Sequence, residues 1–133
     1  MPYEKNQTYQ RNDVMDALGA ENAHPLYALH RAGHVLALTV NRWQNPNAPA
    51  EILVGFGQNR ETLAASFIQH QPTVPVFIKE DRTGTQWHYA GTFKLKSHTA
   101  DPAETHKRVQ PPHIPSIYKI LFLEEVPTAQ ANV

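Results

Sequence analysis

The chain alternates between segments with helical and segments with strand-like hydrophobic spacing. Residues 9–18 carry apolar side chains three and four positions apart, which predicts a short helix that Asn12 caps and Gly19 ends. Residues 60–69 have a similar apolar edge, and Asn59 is the predicted N-cap of that second helix.

Strand-like alternation dominates the rest of the chain. Residues 34–41 are apolar on both faces, which is typical of a strand that is covered on both sides or closed into a barrel. Residues 87–96 show the clearest alternation, and the polar turn around Gly84 predicts a hairpin with the strand before it. The predicted strands are residues 34–41, 51–56, 76–79, 87–96 and 117–126.

The remaining segments are predicted to be turns and loops. Residues 25–31 suggest a helical turn, residues 42–50 a loop, and residues 97–115 a long irregular segment. Since most connections are too short for parallel crossovers, we expect an α+β fold, a small closed mixed β-barrel with one to three short helices packed on it. Residues 1–126 would form this single domain, and residues 127–133 a disordered tail.

Composition limits the classes of protein that remain. The chain has 133 residues, 12 basic and 12 acidic side chains and no cysteine, which excludes disulfides and thiolate zinc sites. No apolar run approaches the roughly 20 residues of a membrane-spanning helix, and no signal-peptide pattern begins the sequence. We therefore expect a cytoplasmic protein with no membrane partner. A net charge of zero supports a polyanionic partner only if the cations cluster on one face or the eight histidines contribute positive charge.

Motifs of known enzyme classes are missing from the sequence. The glycines at positions 55 and 57 lack the third glycine of a phosphate-binding loop, and no GxSxG motif occurs. His30 and His34 have helical ligand spacing without the glutamate of a metalloprotease, so we predict no metal and no cofactor. The alternative hypothesis of a hydrolase acting on nucleotides or nucleic acid stays open. Its candidate catalytic residues are His70, His98, Asp101 and His106.

Aromatic side chains at strand ends are the most informative feature. Trp43 follows one predicted strand, Phe56 ends another, and Trp87 begins a third with Tyr89 on the same face. Rings at a barrel mouth can stack on a flat heterocycle while loop polar groups read its edge, although Trp87 and Tyr89 could instead face the core. The predicted pocket residues are Trp43, Phe56, Asn59, Arg60, Asp81, Gln86, Trp87 and Tyr89.

A family resemblance follows from longer runs of residues. Residues 87–105 (WHYAGTFKLKSHTADPAET) resemble the corresponding segment of EVE-type domains in the PUA-like superfamily. Residues 9–19 (YQRNDVMDALG), 67–71 and 75–81 (PVFIKED), in this order, are similar to a domain at the C-terminus of some bacterial helicase-like restriction proteins. Residues 34–49 carry no signature of that family.

The resemblance implies a reader of nucleic acid. Many PUA-like domains, a superfamily that includes the EVE, YTH and SRA groups, bind a modified base in an aromatic pocket after it is flipped from a duplex or taken from a single strand. We therefore expect a non-enzymatic module that recognises a modified, in the first instance methylated, base, in DNA in preference to RNA. It would be the sensor of a restriction or defence system with a separate nuclease. Phosphate contacts would come from Arg82, Lys94, Lys96, Lys107 and Arg108.

Two further hypotheses concern protein partners. The proline-rich residues 111–115 suggest a protein-interaction barrel. An exposed barrel edge at residues 117–123 would allow pairing with a second copy of the chain and hence a homodimer.

Overall fold

A computed structural model describes residues 3–21 and 27–127 of the chain. In these ranges the protein is α+β, with a mixed sheet and short helices, as the sequence predicts. The predicted tail lies outside the described residues from position 128 onward. The strands are β1 Thr8–Gln10, β2 Ala28–Arg31, β3 His34–Asn41, β4 Glu51–Val54, β5 Val74–Lys79, β6 Gln86–Thr99 and β7 Lys119–Glu125. The helices are α1 Arg11–Leu18, α2 Gln58–His70, α3 Pro102–Thr105 and the 3-10 helix His106–Arg108.

All described strands belong to one sheet in the order β2-β3-β5-β6-β7-β4, and β1 pairs with the start of β6. The predicted hairpin of β5 and β6 is confirmed. β3 and β5 are parallel, because β4 and α2 form a crossover between them that local reasoning about connection lengths missed. β7 lies between β6 and β4, so residues 117–123 do not provide the free edge expected for pairing with a second copy.

The sheet curls into a half-barrel around α2. This helix contacts both β3 and β4, which are far apart in the order of strands, so the sheet must bend to bring them together. A ladder between β2 and β4, which would close the barrel, is not formed among the described residues.

Two hydrophobic cores cover the two faces of the sheet. The inner core lies between the sheet and α2, where Leu63 and Phe67 pack among Leu38, Val40 and their neighbours. The outer core packs α1 against the opposite face and consists of Val14, Met15, Leu29, Ala37, Phe77 and Tyr89. The two-faced apolar pattern of β3 therefore reflects burial on both sides, as predicted.

The helical turn predicted over residues 25–31 is wrong where the structure describes it, and residues 25 and 26 lie outside the described ranges. β2 pairs with β3 through a tight turn at Ala32 and Gly33, whose φ angles are 52° and 81°. Positive φ at both central positions matches the twist of a two-residue hairpin, so Gly33 marks a hairpin turn where we expected the end of a helical turn.

Helix boundaries differ slightly from the prediction. Gly19 ends α1 in the left-handed conformation, as expected, but α1 begins before Asn12 and its N-cap, Gln10, makes no side-chain capping bond. α2 begins at Gln58, so Asn59 lies inside the helix and does not cap it.

The segment predicted to be a long loop over residues 97–115 is largely ordered. β6 continues to Thr99, and Asp101 then caps α3 by accepting a hydrogen bond from the Ala103 N–H at 3.0 Å. An acidic N-cap followed by Pro102 is a helix-start signal that the interpretation as a loop overlooked.

The alternation predicted along β6 breaks in its middle. Trp87 and Tyr89 contact the outer core, whereas Phe93 and Leu95 contact the inner core. Gly91 lies between them with a φ of 129°, a conformation that other residues rarely adopt. This local change of conformation explains why residues of one predicted face reach two different cores.

Candidate functional site

A cleft of about 450 Å³ opens at one end of the half-barrel. Its walls are the ends of β3, β5 and β6, the turn after β3, the loop between β4 and α2, and residues 113–117. Its volume lies within the range of about 300–1,000 Å³ that small-molecule sites occupy. The cleft is therefore large enough to hold a ligand group.

Both tryptophans of the chain line this cleft. Trp43 lies in the turn that follows β3, and Trp87 is the second residue of β6. The register of the sheet explains their proximity: Asn41 pairs with Lys79, and Ile78 pairs with His88, so Lys79 and Trp87 are neighbours across the hairpin. Two strand ends and one turn thus carry the two indoles to the same opening.

Each indole has a cation over its ring. The Nζ atom of Lys79 lies 5.9 Å from the ring centroid of Trp87, and the Cζ atom of Arg82 lies 5.5 Å from that of Trp43. Arg82 Nη1 also lies 3.4 Å from Nε2 of His113. These are cation–π distances, so each flat apolar surface is paired with a positive charge.

The charge of the cleft has one sign. Arg11, Arg60 and Lys79 line it, and none of its described lining residues is an aspartate or a glutamate. Burial lowers the pKa of Arg11 from its ordinary value, and its Nε donates to Thr39 Oγ1 at 3.3 Å. An arginine stays charged at neutral pH despite such a shift, so the cleft favours an anionic ligand.

Amide side chains fix the turn that carries Trp43. Asn41 Nδ2 donates to Gln44 Oε1 at 2.9 Å, and the Gln44 N–H donates to Asn41 Oδ1 at 2.8 Å. The buried Asn45 accepts a hydrogen bond from the Leu53 N–H at 2.8 Å, which joins this turn to β4. The amino group of Gln44 is not used by these bonds and can donate to a ligand.

A charged cluster clamps the same turn onto the hairpin of β5 and β6. Arg42 Nε and Nη2 donate to Glu80 Oε1 and Oε2 at 2.9 and 2.8 Å, and His88 Nε2 lies 2.7 Å from Glu80 Oε2. The hydrogen bonds from Arg42, with a contribution from His88, lower the pKa of Glu80 to about 2. The Glu80 carboxylate beside the cleft mouth is therefore already paired with Arg42 and His88.

The cleft brings together half of the residues predicted to form the pocket. Trp43, Phe56, Arg60 and Trp87 line it, and Asn59, Asp81, Gln86 and Tyr89 are not among its lining residues. Tyr89 is buried in the outer core, where its hydroxyl lies 2.5 Å from Thr92 Oγ1. Asp81 closes its own turn by accepting hydrogen bonds from the N–H and hydroxyl of Thr83, both at 2.9 Å.

Only Arg82 of the residues predicted to contact phosphate is adjacent to the cleft, through its contact with Trp43. Lys94 pairs with Glu124 at 3.4 Å, and Lys96 is exposed on the distal part of β6. Lys107 pairs with Glu104, and Arg108 pairs with Glu51 and Glu104.

Sequence reasoning missed several walls of the cleft. Lys79 becomes a neighbour of Trp87 only through the hairpin register, which the predicted strand ends could have suggested. Residues 113–117 enter the cleft because Gln110 and Ile114 form a β-bridge, and Ile114 and Ile117 pack with Ile120. Three residues of the proline-rich segment 111–115, His113, Ile114 and Pro115, thus line the cleft.

Two of the four residues considered for hydrolysis make hydrogen bonds that serve the fold. Asp101 caps α3, and His70 Nδ1 lies 3.0 Å from the Ser66 carbonyl oxygen within α2. No group of three or more histidine, aspartate or glutamate side chains in residues 3–21 and 27–127 could hold a metal ion.

No helix in the described part of the chain is long and apolar enough to cross a bilayer.

Comparisons with known proteins found no homologue of this chain. The chain matches no protein-family model, no curated protein and no solved structure.

Proposed function

We propose that this protein is a nucleic-acid-binding module that takes one base, in the first instance a methylated base, into the cleft between Trp43 and Trp87. The observation that carries the proposal is the composition of the cleft: both tryptophans, each with a cation over its ring, and no acidic side chain among its described lining residues. A nucleotide unit combines a flat ring with a negative phosphate, and this pairing of groups is complementary to it.

The free energy needed to extrude a base and the free energy gained by stacking it on aromatic side chains are of similar size. Extruding a base from a duplex costs a few kcal/mol, and stacking on an aromatic side chain returns roughly 1–3 kcal/mol per base. Stacking on two indoles therefore offsets most of the free energy of extrusion. A base taken from a single strand requires less free energy, because it is not paired. Phosphate contacts from Lys79 and Arg82 supply further affinity that depends on salt.

Apolar wall residues support recognition of an added methyl group. Val40, Leu53 and Ile117 line the cleft beside its polar groups. Burying one methyl contributes about 1 kcal/mol, which is enough for a measurable preference. The wider proposal is that the module is of PUA-like type, reads DNA in preference to RNA, and serves as the sensor of a restriction or defence system with a separate nuclease. The curled mixed sheet with short helices supports that fold type.

Intrinsic fluorescence tests the proposal directly, because the only two tryptophans of the chain line the cleft. We expect saturable quenching by short oligonucleotides, weaker at high salt, with tighter binding when they contain 5-methylcytosine or N6-methyladenine. Trp43→Phe and Trp87→Phe leave one reporter each and should each show quenching of the other ring. Lys79→Gln should weaken binding, and Lys96→Gln, which lies away from the cleft, is the matched control.

The outcomes separate the parts of the proposal. Salt-dependent quenching without a preference for methylated bases would retain nucleic-acid binding and remove the modified-base role. Absence of quenching with every oligonucleotide, or an equal effect of the two lysine substitutions, would refute binding at this cleft.

A further inference from the structure

Phe56 is an exposed aromatic side chain at the mouth of the cleft. Its relative exposure is 57%, and it is the one exposed large hydrophobic side chain in the described part of the chain. It also lines the cleft that holds both tryptophans. A single exposed apolar side chain needs no partner by itself, so what matters here is that Phe56 shares the cleft with both tryptophans and can present its ring to the same ligand.

The loop that carries Phe56 is held in place. The Gly57 N–H donates to Glu61 Oε2 at 3.0 Å, and Arg60 Nη1 donates to the Phe56 carbonyl oxygen at 3.3 Å. The Phe56 ring rests edge-to-face on Tyr118, with centroids 5.7 Å apart. A ring fixed in this way loses little conformational entropy when a planar group stacks on it.

Cations accompany this second aromatic group as they accompany the tryptophans. Arg60 lines the cleft and bonds to the backbone of Phe56, so a positive charge lies close to Phe56. The Nζ atom of Lys119 lies 5.5 Å from the Tyr118 ring centroid. Alternation of stacking rings and cations along a path is the pattern by which proteins bind single strands.

We infer that Phe56 is a second stacking platform, which binds the base next to the one held in the cleft. The ligand is then a strand of at least two nucleotides, whose linking phosphate lies near Arg60, and not a free nucleotide. This inference rests on the proposed function, because it requires a first base at the tryptophans.

A comparison of mononucleotides and dinucleotides tests the inference with the tryptophan fluorescence readout. The probes are 5-methyldeoxycytidine 5′-monophosphate and the dinucleotide that adds one deoxythymidine on either side. Since stacking on one ring contributes at least about 1 kcal/mol, the better dinucleotide should bind at least about fivefold more tightly. Phe56→Ala should reduce this ratio to near one, Phe56→Tyr should keep it, and Gln58→Ala, an exposed neighbour, is the control.

Each outcome bears on one of the two claims. If neither probe quenches the tryptophans, the proposed function fails. If the mononucleotide binds but neither dinucleotide binds more tightly, or Phe56→Ala leaves the ratio as it is in the unmodified protein, the second platform is refuted while the first base site stands. A fall in the ratio with Gln58→Ala equal to that with Phe56→Ala would also refute it, since the ring would then not be the cause.

Discussion

Arg108 holds the 3-10 helix against β4, and removing its charge should destabilise the fold. Its Nε donates to Glu51 Oε1 at 2.7 Å and its Nη2 to Glu51 Oε2 at 3.1 Å, while Nη1 donates to the Glu104 carbonyl oxygen at 2.9 Å. The two side chains of the Arg108–Glu51 pair are only 19% and 20% exposed. A phosphate would therefore have to displace Glu51 before it could bind this guanidinium.

The magnitude follows from this geometry. Arg108→Gln leaves the Glu51 carboxylate without its cation, and hydrogen bonds to charged groups contribute about 1.5–3 kcal/mol. Breaking a fully buried pair costs about 3–5 kcal/mol, and this pair is partly solvated, so we expect a loss of about 2 kcal/mol in the free energy of unfolding. With an m value near 2 kcal/mol per molar urea, the unfolding midpoint should fall by about 1 M.

Urea titrations followed by circular dichroism measure this difference. Lys107→Gln is the control, because Lys107 is 68% exposed and its solvent-screened pair with Glu104 at 3.2 Å should contribute little to stability. Arg108 lowers the pKa of Glu51, so the stability from this carboxylate is present above the ordinary glutamate pKa and is lost as the pH falls through the lowered one. The deficit of Arg108→Gln should therefore shrink in acid. Equal midpoints for the two variants at neutral pH would refute the structural role assigned to Arg108.

Two further predictions concern the hairpin and the long strand. Gly91→Ala should cost about 2 kcal/mol in unfolding free energy, because φ is 129° there, a strained conformation for a residue with a Cβ, and that Cβ would lie 3.1 Å from Phe93 Cε1. Gly84→Ala is the control in the same denaturation assay, because its Cβ would make only ordinary van der Waals contacts, the nearest at 3.6 Å. Equal losses of unfolding free energy in the two variants would contradict this prediction. Glu80→Gln should lower stability by no more than about 1 kcal/mol at neutral pH, since Glu80 is 48% exposed. Because the folded pKa of Glu80 is about 2, its contribution is present above pH 4.5 and lost between 4.5 and 2, so thermal unfolding across that range should show the two proteins converging.

Local signals in the sequence were sufficient to predict several elements of the fold. The two-faced apolar pattern of β3 predicted its bounds and its double burial, and Gly84 predicted the hairpin between β5 and β6. The end of α1 at Gly19 likewise follows from the residue itself. These features depend on residues that are close together in the chain.

Features that depend on distant residues were not predictable in the same way. β2 is defined by its pairing with β3, and the parallel ladder of β3 and β5 joins segments separated by β4 and α2. The register shift in the ladder of β5 and β6 next to Gly91, where φ is 129°, is not indicated by hydrophobic alternation. Periodicity identifies a strand and its faces but not its partner.

The candidate site was partly predictable for the same reason. Aromatic rings at strand ends pointed to Trp43 and Trp87, because strand ends meet at the rim of a curled sheet. Tyr89 lies on the same face of β6 as Trp87 and both contact the outer core, but only Trp87, at the end of the strand, also lines the cleft. The wall formed by residues 113–117 depends on a bridge and on packing that no motif in that segment encodes.

The net charge of zero does not argue against a polyanionic ligand once the positions of the charges are known. Exposed charges act over roughly a Debye length, about 10 Å at moderate salt, so the local balance decides binding and not the sum over the chain. Many of the acids neutralise a neighbouring cation: the ion pairs are Lys5–Glu125, Arg42–Glu80, Lys94–Glu124, Lys107–Glu104 and Arg108–Glu51. Arg60 and Lys79 line a cleft that has no carboxylate among its described lining residues. Because an ion pair contributes no net charge, an overall balance of 12 and 12 is compatible with a cleft whose charged side chains, among the described lining residues, are all basic.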